Sequence, residues 1–157
     1  MNPPRALQAQ ALWLSAMRRY FACIAIGNLL WEIAHFPLYA LWSTGTLAKQ
    51  VFAIVHCTAG DLVIALCALA LGLLAAGDTR WPVAGFARVA FLAVIAGVGY
   101  TIFSEWLNVQ VRKSWAYSPA MPIVPFLGVG LTPLLQWVLV PIAAFLFVRR
   151  ANSGFPR

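Results

Sequence analysis

The residues of this chain with the clearest chemical potential are Glu32 and His35, which lie inside the apolar stretch 28–39. A Glu-x-x-His spacing puts a carboxylate and an imidazole on the same face of a helix. Asn28 and Tyr39 fall on that face too, because the steps between the four residues are four, three and four. Lipid cannot solvate a carboxylate, so the face needs partners on other helices or a wet cavity. The pattern predicts a buried polar site.

The elements that hold such a site follow from composition. Hydrophobic residues make up 62% of the 157-residue chain and charged residues 10%, whereas soluble domains contain about 25% charged residues. This indicates an integral membrane protein. We predict an all-α, four-helix bundle forming a single transmembrane domain, 1–157. The predicted spans are about 20–42, 49–76, 88–110 and 123–148, preceded by a short interfacial helix at 4–17.

The net charge of +7 has a membrane explanation, because the basic residues lie at the ends of the apolar runs. There they mark orientation and contact acidic head groups, so we predict membrane lipid and not nucleic acid as a partner. Lys49, Arg112 and Lys113 fall on one side of the predicted topology. This distribution predicts cytoplasmic termini, in a bacterial inner membrane with the site towards the periplasm. The eight basic residues on the other side are Arg5, Arg18, Arg19, Arg80, Arg88, Arg149, Arg150 and Arg157.

Further polar residues reach the same depth as Glu32 and His35. At 1.5 Å per residue, His56, Asp61 and Glu105 fall in the same half of the bilayer. Three of the four acids and both histidines of the chain are thus expected in one slab, on three helices. His56 and Asp61 are separated by roughly 140° around an ideal helix, so the sequence leaves open whether both face the site.

One hypothesis for this site is a divalent metal, zinc or iron. The expected ligands provide two nitrogens and three carboxylates, which is enough for one ion with an open position. Glu-x-x-His is also the unit that di-iron helix bundles use twice. The predicted ligands are Glu32, His35, His56, Asp61 and Glu105.

A second hypothesis is acid/base catalysis without metal, on a lipid-soluble substrate, with Glu32, His35 and Glu105 as the catalytic groups. Isomerisation or hydrolysis would fit these groups. The polar loop 112–122 suits either an interfacial belt or a cap over a cavity. The residues we predict to bind the substrate are Asn28, Trp31, Tyr39, Trp106, Asn108, Arg112, Trp115, Tyr117 and Gln136.

A third hypothesis is proton- or cation-coupled transport, because buried Asp, Glu and His are the usual relay residues. Four spans give a narrow pathway, so this function would require a homodimer. The half of the predicted spans nearer the termini offers no acid and no His to continue a relay.

Overall fold

The computed structural model describes residues 5–77 and 80–152. Its helices are α1 (Arg5–His35), α2 (Leu41–Thr44), α3 (Leu47–Ala76), α4 (Phe86–Glu105) and α5 (Leu131–Asn152). All except α2 belong to the four segments that are long and apolar enough to cross a membrane. The predicted all-α fold, with four helices long and apolar enough to span a membrane, is confirmed.

The four long helices form a ring in the order α1, α3, α4, α5, and each packs against two neighbours. An apolar core of Tyr20, Leu69, Val89 and Phe145 fills the end where α1 begins and α5 finishes, here called the termini end. The opposite end is called the loop end. Since α1 and α4 are at opposite corners of the ring, as are α3 and α5, side chains at the loop end can meet across the middle.

Helix α1 departs from the predicted boundaries at both ends. It runs without interruption from Arg5, so residues 5–17 are part of α1 and not of a separate interfacial helix. It ends at His35, short of the predicted Trp42, and a 3-10 turn follows at Phe36–Leu38. Pro37 lies in this turn and has no N–H with which to continue the helical hydrogen bonds. His35 is therefore the last α-helical residue of α1.

The end of α4 and the start of α5 are also irregular. A π-helical turn, Trp106–Val111, continues α4 directly after Glu105; such turns are frequent at functional sites. Helix α5 begins at Leu131, later than the predicted 123. Phe126 and Gly128 have positive φ angles, which a right-handed helix does not allow. The segment before α5 is consequently a folded loop.

The connecting segments 36–40 and 114–118 bind each other at the loop end and together form what we call the cap. The Ala40 N–H donates to the Ala116 carbonyl at 2.9 Å, and the Ser118 N–H donates to the Leu38 carbonyl at 2.8 Å. Of the two roles expected for the loop 112–122, the structure shows a cap over the bundle.

Candidate functional site

A cavity of about 830 Å³ lies beneath the cap and is lined by all four long helices. Its walls combine apolar and aromatic side chains with a few polar groups, which is the usual make-up of a small-molecule site. The polar side chains lie mostly at the inner surface of the cavity, and Trp115 of the cap also lines it. The acids, the histidines and the glutamine that line the cavity are Glu32, His35, His56, Asp61, Glu105 and Gln136.

Gln136 of α5 is the centre of the polar network. Its Nε2 lies 3.0 Å from Asn28 Oδ1, 3.1 Å from Glu32 Oε1 and 2.9 Å from Asp61 Oδ2. The side chain is 2% exposed, and both carboxylates are buried. An amide nitrogen carries two hydrogens, so three acceptors compete for two donors. Glu32 and Asp61 are therefore brought close together around a single donor group.

Trp137, the neighbour of Gln136, also contributes to the site and was not among the predicted residues. Its side chain is hydrogen-bonded to Asp61. A Cβ at Gly97 of α4 would collide with the Trp137 ring, so the glycine provides the space that the indole occupies. In sequence, a lone Trp in an apolar helix does not indicate such a contact. The only signal was its position beside Gln136.

Glu105 is held by two tyrosines at the cap. Its Oε2 accepts a short hydrogen bond from the Tyr117 hydroxyl and a longer one, at 3.5 Å, from Tyr39. The Tyr117 oxygen in turn accepts from the Gly130 N–H at 2.8 Å. Burial raises the pKa of Tyr117, and the hydrogen bond to Glu105 raises it further. This phenol consequently remains a donor over the whole neutral range.

His35 lies at the cavity wall with its hydrogen-bonding capacity unused. The residue is 6% exposed, and neither ring nitrogen has a hydrogen-bond partner among the residues the structure describes. Nε2 lies 3.3 Å from Glu32 Oε2, and the ring packs edge-on against Tyr39. A buried imidazole whose Nδ1 has no partner and whose Nε2 has only this contact is a group available to a ligand.

The sequence left open whether His56 and Asp61 face one site, and in the structure both line the cavity. His56 is exposed at the rim of the cavity and stacks on Phe52, with ring centroids 5.5 Å apart. Asp61, on another face of α3, points inward and is buried. Within the described ranges, no three His, Cys, Asp or Glu side chains are grouped closely enough to hold a metal ion.

The residues predicted to bind substrate fall into two groups. In the first group, the cavity is lined by Tyr39, Asn108, Trp115 and Gln136. Two more residues of this group hydrogen-bond to lining residues: Asn28 accepts from Gln136, and Tyr117 donates to Glu105. The cavity lining does not include Trp31, Trp106 and Arg112. Trp106 and Arg112 are exposed instead, and Trp31 packs against the apolar core.

Part of the cavity is open sideways, at residues of α3 and α4. Phe52 and His56 of α3 and Tyr100 of α4 line the cavity and are also exposed on the bundle surface. All three belong to segments that are long and apolar enough to cross a membrane, so we expect this opening to face lipid.

We found no match to a protein-family model, a curated protein or a solved structure. The function has to be argued from the site itself.

Proposed function

We propose that this protein is a membrane enzyme that carries out acid/base chemistry on a lipid-soluble substrate bound in the cavity. The observation that carries the proposal is His35, a buried imidazole at the cavity wall whose ring nitrogens have no hydrogen-bond partner in the described chain. Leaving buried donors and acceptors unpaired is costly, about 1–3 kcal/mol each. A substrate polar group that pairs with His35 would remove that cost.

Glu32 and His35 form the proton-exchanging couple in this proposal. Glu32 lies 3.3 Å from the imidazole and can stabilise its protonated form after His35 has taken a proton from the substrate. Gln136 holds the other oxygen of Glu32 and so fixes the direction of the carboxylate. The couple is thus oriented before substrate binds.

Glu105 is the second proton-exchanging group and belongs to the helix diagonally across the ring from α1. Tyr39 and Tyr117 fix its carboxylate at the loop end. An isomerisation needs removal of a proton at one substrate atom and delivery at another, so groups on two walls suit that reaction. A hydrolysis would use the same couple to activate water.

A divalent metal, zinc or iron, is the alternative cofactor proposal for the same residues. The carboxylate oxygens of Glu32, Asp61 and Glu105 are directed at amide, indole and phenol donors of the protein. This donor set favours chemistry by proton transfer. Elemental analysis of purified protein compared with His35→Ala protein decides between the two, since the metal proposal requires a stoichiometric ion that the substitution removes.

Coupled transport is less well supported by the geometry. Cavity-lining residues reach down to Ile64 and Trp137, and the apolar core that includes Leu69 and Phe145 lies beyond them. A transporter would need a polar path through this core in another state, or between two copies of the chain.

The proposal also specifies the membrane in which the protein lies and the side of that membrane on which the cavity is found. We place the chain in a bacterial inner membrane with cytoplasmic termini, because eight of the eleven basic residues belong to that side of the topology. The cavity then lies in the periplasmic half of the bilayer.

The test is reconstitution into nanodiscs with a total bacterial lipid extract in D₂O, followed by mass spectrometry of the lipids. Proton transfer to carbon leaves deuterium in the product, and hydrolysis changes the product mass. We expect such a change with the native protein and a reduction of about 10²–10⁴-fold in His35→Gln and Glu32→Gln protein. His56→Gln, at the rim, is the matched histidine control. Lipid profiles identical to those of empty nanodiscs would overturn the proposal.

A further inference from the structure

The walls of the cavity carry an excess of acidic groups. Glu32, Asp61 and Glu105 all line it and are buried. Among the described lining residues, Lys49 is the one Lys or Arg, and it is exposed at the rim. Charges buried without an opposite charge cost several kcal/mol each, so this arrangement requires a positive group or bound protons.

The contacts of these acids with the protein are mostly with neutral donors. The two N–H groups of Gln136 are shared among three acceptors. One of these acceptors is the neutral amide of Asn28, so Glu32 and Asp61 do not have both N–H groups to themselves. Tyr117 and Trp137 donate hydrogen bonds but supply no positive charge. His35 can neutralise one acid at most, because an imidazolium carries a single charge.

We infer that the cavity takes a substrate with a lipophilic ammonium group, which lies among Glu32, Asp61 and Glu105. This inference rests on the proposed function and adds its substrate class. The imidazole of His35 provides the independent sign of a ligand, since in its neutral form one unpaired nitrogen accepts a hydrogen bond from an ammonium N–H.

The apolar walls fit the rest of such a molecule. Tyr39, Tyr100 and Trp115 line the cavity, and aromatic faces attract cations most strongly where water is excluded. A volume of about 830 Å³ is that of a site for a drug-sized molecule. The lateral opening at Phe52 and Tyr100 admits a molecule whose hydrocarbon part is dissolved in the bilayer.

The test uses three photoaffinity probes with the same alkyl chain, alkyne tag and trifluoromethyl-aryl diazirine. They differ only in the head group, which is an amine, an alcohol or a carboxylate. The full-length protein in nanodiscs is irradiated with each probe, and labelled peptides are quantified by mass spectrometry. We expect the amine probe to label cavity residues roughly tenfold more than the alcohol probe, the change for about 1.4 kcal/mol.

Isosteric variants show whether the preference for the amine probe depends on the charge of the carboxylates or on their shape. Asp61→Asn and Glu32→Gln should reduce the amine-to-alcohol ratio towards one while leaving alcohol labelling in place. Asp78→Asn, which removes the one acid outside the set, should keep the native ratio.

Three results would contradict the inference, and they have different consequences. Equal cavity labelling by the amine and alcohol probes overturns the ammonium class, as bound protons then neutralise the acids, while the proposed function stands. Preferential labelling by the carboxylate probe overturns the class in the same way. Failure of all three probes to label the cavity overturns both proposals.

Discussion

Nε2 of Gln136 lies 2.9 Å from Oδ2 of Asp61, and this contact joins α5 to α3 across the middle of the helix ring. The two helices occupy opposite corners. Along the other diagonal, Tyr39 in the cap segment that follows α1 donates to Glu105 of α4. Polar contacts across both diagonals hold the loop end of the bundle together where the termini end relies on apolar packing.

Replacing Gln136 by Leu should destabilise the protein. The change leaves Asn28, Glu32 and Asp61 without their shared donor, and an unsatisfied buried group costs about 1–3 kcal/mol. Thermal unfolding in detergent should show a lower midpoint for Gln136→Leu. Leu139→Ala, at a position exposed on the outside of the same helix, is the control and should have a smaller effect. An unchanged midpoint in Gln136→Leu would show that the network does not stabilise the fold.

Adding one methyl group at Gly97 should disturb the site through Trp137. The new Cβ collides with the indole ring, and overpacking of this kind costs about 1–3 kcal/mol. We expect Gly97→Ala to shift Trp137 from Asp61 and to change tryptophan fluorescence. Gly99 of the same helix has open space where a Cβ would lie, so Gly99→Ala should leave both stability and fluorescence unchanged. Equal effects of the two substitutions would argue against the role of Gly97 in leaving space for Trp137.

Ionisation of Tyr117 should be delayed to strongly alkaline pH. Burial raises its pKa, as does the Glu105 carboxylate to which it donates. Because the folded-state pKa lies above the ordinary value of about 10, the stabilising contribution is complete below that pH and is lost as the pH rises past the raised value. Ultraviolet titration of native protein minus Tyr117→Phe protein isolates this group.

Glu105→Gln should lower the pKa of Tyr117 only in part. The substitution removes the nearby negative charge, whereas burial, the larger cause, remains. Titration of the Glu105→Gln protein, again relative to its Tyr117→Phe derivative, should therefore give a midpoint between the ordinary and the native value. A midpoint equal to that of native protein would mean that Glu105 has no influence on this phenol.

The orientation prediction can be checked with reporters at the carboxyl terminus. Alkaline phosphatase fused after Arg157 should be inactive and green fluorescent protein should be fluorescent, because the positive-inside rule places this end in the cytoplasm. The same pair of reporters inserted after Lys113 should give the opposite result. Active phosphatase at the carboxyl terminus would reverse the topology.

The sequence predicted the helices well because uninterrupted apolar runs leave few alternatives. It predicted the ends of the helices less well where the backbone cannot continue a helix. Pro37 ends α1 at His35, and the positive φ angle of Phe126 moves the start of α5 to a later residue. Depth along the spans predicted that Glu32, His35, Asp61 and Glu105 share one level with His56. These four residues do line one cavity.

The rotation of side chains about each helix was harder to predict. His56 has the right depth, but its face of α3 is exposed at the rim. Trp137 has no polar neighbours in sequence except Gln136, and its contact with Asp61 depends on the space left by Gly97 on another helix. Such a relationship between distant positions is visible only once the helices are packed.

The backbone hydrogen bonds between Leu38 or Ala40 and the facing segment have a kinetic consequence. They cover this part of the loop end, so we expect a lipid-soluble substrate to exchange with the cavity through the lateral opening and hence from the bilayer. For an enzyme that takes its substrate from the bilayer, the concentration that determines the rate is the mole fraction of substrate in the lipid. Diluting a fixed amount of substrate with inert lipid should slow turnover, whereas changing the volume of buffer should not.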